Sequence, residues 1–100
     1  MKFTLNQTCA ACPEQYDVFL GEDTNRLIGY IRLRFGELSV YYPSIDGELI
    51  YTHDFGDRLQ GNFNNDKERE DYINIALNTI KNKIIEETFG NVDNIEYVVK

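Results

Sequence analysis

The chain is short of the residues that most often carry chemistry, with two cysteines and one histidine in 100 residues. Its only serines are Ser39 and Ser44, and neither stands in a G-x-S-x-G setting, so no nucleophile elbow is present. Phosphate-cradling glycine loops are missing too: neither G-x-x-x-x-G-K nor G-x-G-x-x-G occurs. No apolar run outlasts Leu27 to Ile31, itself broken by Gly29 and far below the ~18 residues of a membrane helix. After Lys2 the chain turns polar at Thr4, Asn6, Gln7 and Thr8, where a secretory leader would need ~7 to 15 apolar residues. These absences predict a cytoplasmic protein without a membrane partner, in which Cys9 and Cys12 are reduced thiols.

What is present is acid and apolar bulk. Seventeen acidic residues against ten basic ones give a net charge of -7, while 42% of the chain is hydrophobic. The length suits one domain, residues 1–100, and the apolar content is too high for a disordered acidic tail. Such a charge opposes nucleic acid and anionic surfaces and permits basic partners. The acids are nevertheless spread along the chain. Their densest stretch, Asp66 to Asp71, is interrupted by Lys67 and Arg69, the pattern of an ion-paired helix start and not of a nucleic-acid mimic.

Alternation of period two predicts strands over Lys2 to Thr8, Gln15 to Leu20, Arg26 to Phe35, Glu37 to Tyr42 and Glu48 to Phe55. Turn-forming clusters, Gly21 to Asn25 and Pro43 to Gly47, join neighbours as an antiparallel meander. Gly36-Glu37 reads as a type II′ loop, which would set Phe35 opposite Leu38, Leu33 opposite Val40 and Ile31 opposite Tyr42. Tyr30, Arg32, Arg34, Ser39 and Tyr41 then share the other face. A polar loop, Gly56 to Asn65, carries an isolated Phe63 that either plugs the core or stands exposed as an anchor. A helix follows from Asp66, with Asn65 as N-cap, Glu68 completing a capping box and Gly90 as the stop. Its apolar stripe is Ile73, Ala76, Leu77, Ile80 and Ile84, flanked by Tyr72, Ile75 and Ile85. Ile95 to Val99 forms a last short strand. The expected fold is α+β: a mainly antiparallel sheet of five or six strands, one long amphipathic helix across one face, and a second face left open.

Cys9-Ala10-Ala11-Cys12-Pro13 is the one recognisable motif, a C-x-x-C whose thiols can reach one metal ion or close a small redox disulfide. Pro13 leads into a strand, so the helix dipole of a thioredoxin-type site is missing. Zinc needs further ligands; His53 is the only histidine, and a homodimer pooling both cysteine pairs would supply four thiolates. His53 and Asp54 point to opposite faces of a strand, and His53 shares its face with Leu49, Tyr51 and Phe55, which reads as a satisfied edge histidine. A Cys–His53 hydrolytic dyad requires the fold to bring them together.

The stripe of Tyr30, Arg32 and Arg34, with Tyr41 directly across from Arg32 in the derived register, is the best surface feature. Arginine over tyrosine is a cation–π arrangement, and aromatic-arginine faces resemble binding hot spots. The segments Ala11 to Phe19 and Gly29 to Gly36 resemble a group of small uncharacterised proteins of bacterial and phage genomes. That resemblance implies a mobile-element context, in which short acidic proteins often block a host protein in its cytoplasm, and it implies no activity or site residue. The expected function is a non-catalytic protein-binding module, an inhibitor or adaptor with a protein partner and no cofactor. Two other readings stay open: a metal or redox protein on Cys9 and Cys12, and a binder of a small anion or nucleotide between the open sheet face and the Gly56 to Asn65 loop.

Overall fold

The computed structural model describes residues 1–9, 13–21, 26–88 and 96–99. Cys12, Gly90, Ile95 and residues 22–25, the bulk of the expected first turn cluster, lie outside the described residues. The elements are β1 (Lys2–Cys9), β2 (Glu14–Leu20), β3 (Leu27–Arg34), β4 (Glu37–Tyr42), β5 (Glu48–Asp54), α1 (Asp66–Thr88) and β6 (Glu96–Val99). They form one six-stranded sheet in the order β5-β4-β3-β2-β1-β6, with α1 on one face. Neighbours from β1 to β5 are antiparallel, and β6 joins β1 in parallel, Lys2 opposite Glu96. The α+β architecture expected from the alternation is the one found.

Alternation decides the layers. Phe3, Leu5, Tyr16, Val18, Ile31, Leu33, Leu38 and Val40 are buried on one face of the sheet, and the helix stripe Ile73, Ala76, Leu77, Ile80 and Ile84 is buried against them. Gly29 lets the helix come close, since a Cβ there would lie 2.7 Å from Ile80 Cδ1. At the helix start the Glu68 N–H donates to Asn65 Oδ1 at 2.8 Å, the expected N-cap. The reciprocal half of the box is displaced by one residue, for Glu68 Oε1 accepts from the Asn64 N–H at 3.1 Å. Toward the far end Tyr42 Oη donates to Glu87 Oε2 at 2.7 Å and Lys83 pairs with Glu48 at 3.2 Å, holding α1 to β4 and β5.

The β3–β4 hairpin departs from the expected register. Its central residues are Phe35 and Gly36, both with positive φ (55° and 74°), a type I′ turn in place of the II′ loop at Gly36-Glu37. Arg34 therefore faces Glu37, Leu33 faces Leu38, Ile31 faces Val40, and Tyr41 stands across from Tyr30, not Arg32. Contacts distant in sequence favour this choice. The Gly36 N–H donates to Gln60 O and the Phe55 N–H to Gly36 O, each at 2.8 Å, and a Cβ on Gly36 would overlap the Asp57 carbonyl. The turn moves but parity survives, so the strand residues keep their expected faces while Phe35 leaves the core face and becomes 70% exposed.

Candidate functional site

Because β1, β3 and β5 run the same way, Cys9, the Phe35-Gly36 turn and the segment after Asp54 gather at one end of the sheet. A buried carboxylate binds this end together. Glu14 is 2% exposed, at a core-facing position of β2 alongside Tyr16 and Val18. It accepts from Tyr16 Oη at 2.5 Å, from Arg69 Nε at 2.7 Å, from Arg69 Nη2 at 3.2 Å and from the Phe63 N–H at 3.2 Å. Its own N–H donates to Gly61 O at 2.7 Å. Burial pushes the Glu14 carboxyl up, but the hydrogen bonds from Arg69, Tyr16 and Phe63 outweigh it and hold the group below its ordinary value. The Tyr16 phenol is driven well up by burial and by the adjacent carboxylate.

Phe63 is the plug and not the anchor: it is buried, stacked on Tyr72 with centroids 6.1 Å apart and edge-on to Phe55 at 6.2 Å. His53 sits against the same cluster, its ring 4.6 Å from Phe55 and its Nε2 3.2 Å from Tyr72 Oη. It is the edge-strand histidine with a partner that its apolar neighbours suggest.

On this base two depressions open on either side of Arg34 and Phe35. One, of about 290 Å³, is lined by Pro13, Arg34, Phe35, Arg58, Leu59 and Gly61, with Leu59 93% exposed. The other, of about 190 Å³ on the uncovered sheet face, is lined by Arg32, Arg34, Phe35, Glu37 and Ser39. The Arg34 guanidinium carbon lies 5.0 Å from the centre of the Phe35 ring. The cation–π contact expected on tyrosine is thus made on the turn phenylalanine.

The four residues of the expected stripe separate into two kinds. Arg32 is half-buried and Arg34 exposed, and both line the polar depression. Tyr30 is only 6% exposed, its hydroxyl donating to Gln15 Oε1 at 3.0 Å and its ring 6.1 Å from Tyr41. Tyr30 therefore supports the face from below, with half-buried Tyr41 beside it. Nor is the face uniformly basic. Glu37 stands opposite Arg34, Asp54 opposite Glu37 and Asp17 opposite Tyr30.

Cys9 is a half-buried free thiol, and its motif partner Cys12 lies outside the described residues. Four strand spacings separate β1 from β5, about 19 Å at ~4.8 Å each, so Cys9 and His53 of one chain can neither share an ion nor form a dyad. Among the described residues no three His, Cys, Asp or Glu side chains converge as metal ligands. No described helix is long and apolar enough to cross a membrane.

The sequence pattern put Phe35 in the core and passed over Leu59 and the Glu14–Arg69 pair. Glu14 did carry a signal: a carboxylate alternating with Tyr16 and Val18 on an apolar strand face demands a buried partner. Comparisons with protein-family models, with curated proteins and with solved structures find no match for this chain.

Proposed function

We propose that this chain is a non-catalytic protein-binding module that docks through the turn end of its sheet, with Phe35 and Leu59 as apolar anchors beside Arg34 and Arg58. The observation that carries the reading is the conformation of Phe35. A type I′ turn is best served by Asn or Gly at its first central position, yet here an aromatic residue holds φ 55° with 70% of its surface exposed. A left-handed backbone costs about 1–2 kcal/mol for an ordinary side chain, and burial returns little of that to a ring in solvent. Strain at an exposed aromatic is characteristic of sites that touch something else. The lone histidine, the described cysteine and Ser39 do not converge, which also favours binding over catalysis. The mobile-element resemblance supplies the context, the blocking of a host protein.

The test is an affinity capture from lysate of a bacterial host, run in parallel with wild type, Phe35→Asn and Arg26→Glu, the last a control at the residue before β3. A specific protein retained by wild type and by Arg26→Glu but lost with Phe35→Asn is the expected result. Equal retention by all three would remove the turn end from the interface.

A further inference from the structure

Taking the protein-binding reading of the turn end as its base, the charge arrangement there points to the chemistry of what docks. The chain carries a net charge of -7, so a basic residue has many carboxylates to choose from. The described ion pairs engage Lys67, Arg69 and Lys83. Arg32, Arg34 and Arg58, the arginines that line the two depressions, enter none of them. Three carboxylates at this end accept hydrogen bonds from the chain itself. Glu37 Oε1 accepts from Ser39 Oγ at 3.3 Å, Asp54 Oδ1 from the Gly56 N–H at 2.7 Å, and Asp57 Oδ1 from the Leu59 N–H at 2.9 Å. Arg34 faces Glu37 across the ladder and still lies over the Phe35 ring. Arg34 and Arg58 thus flank an apolar hollow walled by Pro13, Phe35 and Leu59 with no described ion pair of their own, while Arg32 shares the neighbouring depression with Glu37.

We infer that the docking segment of the partner is a short acidic peptide stretch with one large apolar side chain, which enters the Pro13–Phe35–Leu59 hollow. Aspartate or glutamate carboxylates of that stretch lie against Arg34 and Arg58 on one side and Arg32 on the other. Guanidinium groups take carboxylates by paired hydrogen bonds, and the aromatic wall keeps water from the apolar anchor. The overall negative charge of the chain repels acidic surfaces at large, so recognition of an acidic segment is local to this end and weakens with added salt.

A selection of random dodecapeptides displayed on phage tests this, using the full chain as bait and discarding clones that also bind Phe35→Asn. The inference predicts survivors that place Asp or Glu within a few residues of Leu, Met, Phe or Trp. Their synthetic peptides should bind Arg34→Ala at least ~10-fold more weakly, the effect of losing one charge-assisted hydrogen-bond pair. An Arg34→Glu, Arg58→Glu double variant should select Lys and Arg in place of the acids. Phe35-dependent clones without acid enrichment would overturn the inference and leave the turn end as a binding site. Full displacement of acidic clones by inorganic phosphate, with no requirement for the apolar residue, would overturn it in favour of a free-anion site. No Phe35-dependent clone at all would overturn both this inference and the reading beneath it. Thermal melts of each variant, required to lie no lower than wild type, separate lost contacts from lost folding.

Discussion

Glu14 and Gly36 are the residues through which the rest of the chain shapes the turn end. Glu14 is buried and Arg69 is a third exposed, so the loss from Glu14→Gln falls somewhat short of the ~3–5 kcal/mol of a fully buried pair, about 2 kcal/mol or more. The same substitution should change the response to acid. The Glu14 carboxyl titrates lower in the folded chain than in the unfolded one, so its contribution is complete above the unfolded value and is lost as pH falls through the folded value. Urea midpoints measured from about pH 7 down to about pH 3 should therefore fall more steeply for wild type than for Glu14→Gln. Parallel curves would mean that Glu14 does not carry the acid sensitivity. Gly36 combines a φ of 74° with a backbone neighbour at the place of a Cβ, and Gly36→Ala should cost more than about 2 kcal/mol in chemical denaturation. A loss of only about 1–2 kcal/mol, the ordinary left-handed penalty alone, would show that the segment after Asp57 yields easily.

Among the elements, strands and helix were legible because each is half-buried and writes its period into the chain. The helix stripe Ile73, Ala76, Leu77, Ile80 and Ile84 is buried as its spacing indicates, and every described strand lies within two residues of its alternating run. Asn65→Ala should remove the N-cap bond to Glu68 and cost about 1 kcal/mol, read from the thermal midpoint, because Asn64 retains its own bond to the Glu68 side chain. A neutral result would place the helix start under the control of Arg69 instead. The turn between β3 and β4 was not legible. One glycine serves the first central position of a II′ loop or the second of a I′ loop, and only Gln60 and Phe55, many residues away, decide between them. Nor could the pattern place β6. A strand after a long helix pairs wherever an edge is free, and here that edge is β1, with Lys2 beside Glu96.

At the scale of the whole molecule, the acidity that dominates the composition has little to do with the candidate site. Carboxylates at the helix start are engaged by Lys67 and Arg69, and those at the turn end by backbone N–H groups and a hydroxyl. The candidate site was half legible: Arg32 and Arg34 were visible as a stripe, whereas Phe35, Leu59 and Arg58 became neighbours only when the segment after β5 folded against the hairpin. A strained, exposed phenylalanine in a protein of this size is a loss of stability that its packing does not offset, and the proposed docking role accounts for it. The thermal melt of Phe35→Asn tests that directly and needs no partner. Asn fits the left-handed position better, so relief of about 0.5–1 kcal/mol, after loss of the Arg34 contact, should raise the midpoint by roughly 2–6 °C. A midpoint that falls instead would show that Phe35 is there to hold the fold, and would contradict its assignment as a docking residue.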